Sequence, residues 1–187
     1  SRFFRENWEE ALPFYTELVD SLSVDALTAN PEPLRLRGII YERLDRWEEA
    51  EADFLRVLEY KPDDTDTLNY LGYTWVDRGE NLTRAFELIE QAVALEPNSG
   101  AIVDSLGWAH YKLGQYDQAK TYLERAVVLT PYSATIVDHL GDAYWRVGRK
   151  REASYQWARA LEFDPTDEEV IAIQAKLDAG PNAEPAS

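Results

Sequence analysis

The chain has no cysteine and no methionine, and only two of its 187 residues are histidine. Without a thiol there is no disulfide framework, no thiolate metal site and no cysteine nucleophile, and the redox compartment is left open. His110 and His139 alone are too few for a histidine-rich metal site, so no metal or other cofactor is expected. No apolar run approaches the roughly 18 residues that a membrane-spanning helix needs, so direct membrane insertion by this region is not expected. Cations are scarce as well: 19 Lys and Arg stand against 35 Asp and Glu, a formal net charge of −16. Phosphate backbones and anionic lipid surfaces are both held by clustered Lys and Arg, so nucleic acid and membrane adsorption fit this balance poorly. A protein or peptide of basic or neutral character, steered by charge, fits better. There is no Gly-rich phosphate loop after a strand and no His-Glu-x-x-His helix. The opening Ser1-Arg2-Phe3-Phe4 carries no signal-peptide pattern and reads as part of a longer protein.

What is present is a repeat. Gly38, Gly72, Gly107 and Gly141 recur at 34, 35 and 34 residues, and Ala50, Ala85, Ala119 and Ala153 at 35, 34 and 34. Pro62, Pro97, Pro131 and Pro165 keep the same rhythm, always 12 residues after the Ala. The one extra residue therefore falls between Gly72 and Ala85, in or beside Asp77-Arg78-Gly79-Glu80-Asn81, where a connection between helices absorbs it at small cost. The Gly and Ala permit close approach of two helices, which offsets the helix-propensity cost of Gly, about 1 kcal/mol. The Pro stops the second helix, and Asp63-Asp64-Thr65, Asn98-Ser99 and Tyr132-Ser133 supply turn and cap chemistry for the next.

This pattern resembles the tetratricopeptide repeat, a helix–turn–helix of 34 residues. The likeness is carried by Leu106-Gly107-Trp108-Ala109, Leu113-Gly114-Gln115-Tyr116, Ala119, Leu123, Ala126 and Pro131, and by Leu140-Gly141-Asp142-Ala143-Tyr144, Gly148, Ala153, Trp157, Ala160 and Pro165. Arg37 departs from it where Leu is usual, and His110 where Tyr is usual. The implied fold is all-α, a right-handed α-solenoid of about four repeats: 31–64, 65–99, 100–133 and 134–165. Residues 1–30 are expected to hold a partial N-terminal repeat, since Trp8-Glu9-Glu10-Ala11 matches Trp47-Glu48-Glu49-Ala50, with Pro13 bending or restarting its helix and 22–31 as an irregular bridge. Residues 166–178 should form a capping helix with Val170, Ile173 and Leu177 on one stripe, and 179–187 a disordered tail. The runs Leu68-Asn69-Tyr70-Leu71-Gly72-Tyr73 and Asp138-His139-Leu140-Gly141-Asp142-Ala143-Tyr144-Trp145-Arg146-Val147-Gly148-Arg149 also resemble the C-terminal region of long proteobacterial tetratricopeptide proteins. Some of these are envelope lipoprotein adaptors. That likeness implies a bacterial source and favours a periplasmic or outer-membrane-attached address over the cytoplasm.

In such repeats the first helices line a concave surface. The face opposite the apolar stripe runs through Asn69, Tyr70 and Tyr73, then Asp104, Ser105, Trp108 and Tyr111, then Asp138, His139, Asp142, Trp145 and Arg146. Tyr and Trp offer contact area at small entropic cost. Asp104, Asp138 and Asp142 offer charge to a basic segment, although their place in early helical turns also suits the macrodipole. Tyr111 and Trp145 serve equally well as packing between repeats. His110 sits at a core position and is expected to be packed and hydrogen-bonded. Ser105 and His139, with the nearby aspartates, hold the residue types of an acyl-transfer triad, but nothing resembles a nucleophile turn with an oxyanion hole. The expectation is a scaffold or adaptor holding a partner segment in the groove, and not an enzyme. The alternative is a structural spacer or oligomerisation region of a longer protein that binds its partner elsewhere.

Overall fold

The computed structural model describes residues 2–181. Among them are eleven helices and no strand. In chain order these are α1 (Arg2–Ser21), α2 (Val24–Ala29), α3 (Glu32–Arg43), α4 (Trp47–Tyr60), α5 (Thr65–Arg78), α6 (Leu82–Leu95), α7 (Gly100–Lys112), α8 (Tyr116–Leu129), α9 (Ala134–Arg146), α10 (Lys150–Ala160) and α11 (Asp167–Ala179). They group into two compact units, residues 1–71 and residues 72–187, with the division inside α5.

In the first unit, Val19, Leu27, Leu34 and Val57 close a core from α1, α2, α3 and α4. α1 continues through Pro13, which removes one backbone donor without ending the helix. The expected irregular bridge over 22–31 contains a helix instead. The Ser23 hydroxyl accepts from the Ala26 N–H at 3.2 Å, capping α2, and Leu27 is buried in the core. A cap plus one apolar anchor thus gives six residues a helix that their periodicity was too short to show. At the start of α5, the Asp64 carboxylate accepts from the Thr67 N–H at 3.0 Å. The departure at Arg37 has its own partner: Asp53 on α4, itself buried, receives Arg37 Nε and an Nη, both at 2.7 Å.

The second unit repeats one packing device. A Cβ on Gly107 would lie 2.7 Å from Leu123 Cγ, and one on Gly141 would run into the Trp157 indole, so α7 and α9 touch α8 and α10 at those glycines. Ala119 and Ala153 are fully buried in the same seams. The inserted residue lies between α5 and α6. Gly79 takes a φ of +70°, Gly114 and Gly148 are likewise positive in their turns at +76° and +85°, and Asn81 adds a second left-handed residue beside Gly79 at φ +45°. His110 stacks on Tyr122 at 5.2 Å and its Nδ1 meets Gln115 at 2.7 Å.

α11 begins with a reciprocal cap: the Thr166 hydroxyl accepts from the Glu169 N–H, and the Glu169 carboxylate accepts from the Thr166 N–H. Its Ile173 is fully buried with Leu140, Tyr144 and Trp157. The helix extends to Ala179, and Gly180, buried at φ +84°, closes it against the Trp145 ring. Of the tail expected over 179–187, only 182–187 lie outside the described residues.

Candidate protein-interaction face

The face read from the sequence is best developed on α7 and α9, which run side by side in the second unit. Its lower rungs are ionic. His139 Nδ1 lies 2.9 and 3.1 Å from the two Asp104 carboxylate oxygens, and both side chains are buried. Burial works against a charged imidazole, but the Asp104 carboxylate, reinforced by Asp138 and Asp142, prevails and holds His139 above its ordinary value. One helix further on, Lys176 of α11 places its Nζ 2.8 and 2.9 Å from the Asp138 oxygens and 2.9 Å from the Asp142 carboxylate. The Trp157 indole also donates to Asp142, at 3.1 Å. Burial, with Asp138 close by, pushes the Asp142 carboxyl up to about 6, while Lys176 pulls the other way. Thr135 donates to the Glu169 carboxylate, a further tie between α9 and α11.

The upper rungs are aromatic. The Trp108 ring stacks on His139 at 4.0 Å and on Tyr111 at 4.7 Å, nearly parallel to both. Arg146 Nε donates to the Tyr111 hydroxyl at 3.1 Å. Trp108, Tyr111 and Trp145 are each half-buried, and Arg146 is exposed. The Trp108 Nε1 is buried with no acceptor among the described residues, so hydrocarbon is what this side chain leaves at the surface.

These positions correct one expectation. Asp104, Asp138 and Asp142 were read as charge held out to a basic guest. Asp104 and Asp142 are buried, Asp138 nearly so, and all three are already bound by cationic groups of the same chain. The reason is neighbour geometry: a carboxylate on one first helix lies opposite the next, where His139 or Lys176 stands. Ser105 is likewise buried, and its hydroxyl bonds the Ala101 carbonyl at 3.1 Å and not His139, so Asp104 and His139 form a pair without a nucleophile. Tyr73, in the same unit, is half-buried, and burial with Asp104 and Asp77 nearby raises its phenol. Asn69 and Tyr70 belong to the first unit, where Tyr70 donates to Glu42 at 3.0 Å and its phenol is raised by burial. Lys176 is the partner of this face that the sequence reading missed, because its helix was read only as a cap and Lys176 is the one cation in it.

Helix pairs joined by tight turns, packed through a glycine and an alanine and closed by a capped terminal helix, define a helical-repeat scaffold. Two of its repeats, residues 31–64 and 104–133, match the family model described as Tetratricopeptide repeat. The chain is 37% identical over 102 residues to the TPR repeat-containing protein PA4667 of Pseudomonas aeruginosa, taking in 53% of this chain and 17% of that protein's length. A tetratricopeptide repeat protein from Parabacteroides merdae superposes with a TM-score of 0.73 at 17% identity, over 95% of this chain and 67% of that one. The thermophilic TPR protein TTC0263 of Thermus thermophilus gives 0.71 at 20% identity, over 95% and 92%. MamA from Desulfovibrio magneticus gives 0.69 at 23%, over 89% and 90%. At these identities the structural likeness is one of fold. In general terms the region is a protein–protein interaction scaffold, and among its described residues no helix is long and apolar enough to cross a membrane.

Proposed function

We propose that this region holds a segment of a partner protein against the α7–α9 face of its second unit, over Trp108, Tyr111, Trp145 and Arg146, with Tyr73 at the margin. The observation that supports this most is the stacking of Trp108 on both His139 and Tyr111, which fixes the orientation of aromatic side chains that stay only half-buried on this face. Rings immobilised before binding lose little entropy when a guest arrives, which is what makes a hot spot. Asp104, Asp138, His139 and Asp142 have the supporting role of holding α7, α9 and α11 in register beneath those rings.

A photo-crosslinking residue placed at Tyr111, and in a separate variant at the exposed Tyr155 of α10, tests the assignment in cells of the source organism. The expected result is a discrete adduct to another polypeptide from position 111 and none from 155. Equal labelling from both positions, or none from 111, defeats the assignment. An adduct of the chain with itself from position 111 would instead establish the oligomerisation reading.

A further inference from the structure

The face described above carries its own indication of what the guest contains, and this inference rests on that assignment. Each half-open ring along one edge has a cation lying over it. Lys112 Nζ is 5.6 Å from the centre of the Trp108 ring. The Arg146 guanidinium is 5.9 Å from Tyr111 and 5.6 Å from Tyr116. Lys150 Nζ is 4.9 Å from Trp145. Lys112 and Arg146 close α7 and α9, while Tyr116 and Lys150 open α8 and α10, so all of them lie at one end of the helix layer. The carboxylates of the same face are turned inward and neutralised by His139 and Lys176. Of the acidic residues at that end, Asp117 pairs with Lys120 at 3.8 Å, Glu152 with Arg149 at 3.1 Å, and Asp77 stands 4.0 Å from Lys112. In a chain of net charge −16, this edge is locally cationic.

The helix dipole accounts for part of this placement, because cations in a last turn are favoured by about 0.3–1 kcal/mol. It does not account for Lys150, which sits in the first turn of α10, where the dipole opposes it, and which has no ion-pair partner among the described residues. Nor does it require the charges to lie on rings. A cation held over an aromatic face gains from the ring quadrupole and keeps its outer side in water. A carboxylate arriving there meets a positioned cation, and the apolar side chains beside it meet the rings.

We infer that the guest is an acidic segment, one in which Asp or Glu alternates with aromatic or aliphatic side chains. Lys112 and Lys150 take its carboxylates, and Trp108, Tyr111 and Trp145 take its apolar groups. The chain's overall negative charge slows the approach of such a segment, and the local cations hold it once it has docked.

Three random peptide libraries, alike in Leu, Tyr and Gly and differing only in carrying Glu, Gln or Lys, separate the possibilities on the full 187-residue chain. Binders are scored by fluorescence anisotropy and by perturbation of the Trp108 and Trp145 indole signals in NMR spectra. The expected result is binders from the Glu library that move both indoles and lose tenfold or more in affinity in the K112Q/K150Q variant. Both lysines lie at the surface, and an unchanged melting curve verifies that this variant folds. Glu-library binders indifferent to K112Q/K150Q overturn the inference. Indole-perturbing binders from the Gln or Lys libraries overturn it while leaving the face assignment standing. If no library perturbs either indole, the inference and the face assignment fall together.

Discussion

The Arg37 guanidinium of α3, at a site where the repeat pattern has Leu, meets the Asp53 carboxylate of α4 through two parallel bonds of 2.7 Å. Both side chains are mostly buried. A pair like this stabilises little relative to an apolar pair, but removing one partner strands the other. Asp53→Ala is expected to cost about 3–5 kcal/mol, whereas the double change Arg37→Met with Asp53→Leu should be neutral or stabilising. Urea unfolding of the three proteins checks this, and equal losses in the single and double variants would refute it.

Gly141 lies against the Trp157 indole, which in turn bonds Asp142. Gly141→Ala gains up to about 1 kcal/mol of helix propensity but overpacks the seam at a cost of about 1–3 kcal/mol, so net destabilisation is expected. Thermal unfolding reads the sign directly. Gly114→Ala tests the other use of glycine: its φ of +76° strains any side chain, although nothing lies within 4 Å of the new Cβ.

The Asp142 carboxyl, pushed up to about 6 by burial and by Asp138, should show that midpoint in a carbon-detected titration. Its ordinary unfolded value is about 3.9. Because the folded value is the higher one, the proton is held more tightly in the folded state, and the associated stability is complete below about pH 3.9 and lost as pH rises through about 6. Asp138→Asn is expected to lower the Asp142 midpoint, and Lys176→Met to raise it. A midpoint unmoved by either change would contradict this account of the cluster.

His139 is also raised, so its contribution has the same sign: present below its unfolded value of about 6.5 and lost as pH climbs through the higher folded one. Asp104→Asn removes the main group that holds the proton and leaves burial opposed only by Asp138 and Asp142, so the ring should titrate lower than in the parent. Imidazole signals followed by NMR give both values. The same variant should loosen the Trp108 stack, visible as a shift of its indole resonance.

The repeat was fully legible in one dimension. Gly, Ala and Pro at a common period reveal helix pairs because close approach and chain termination each demand one residue type at one place, and a local rule needs no knowledge of neighbours. α2 was not legible, since six residues carry too little periodicity and Ser23 is a cap only because Leu27 finds a core. The aromatic residues of the face were legible as types. Whether its carboxylates faced outward was not, because Asp138 and Lys176 are 38 residues apart and no periodic rule joins them.

The order of residues by itself determined an all-helical chain of repeated pairs, the position of its one insertion, and the helices that carry the half-buried rings. These follow from hydrophobic spacing and backbone preference, which act over a few residues. Tertiary packing alone decided which charges stay at the surface along the edge that carries the rings. Ionic partnership depends on which side chains meet across adjacent helices, and there His139 and Lys176 took the aspartates inward while Lys112, Arg146 and Lys150 stayed at the surface over their rings.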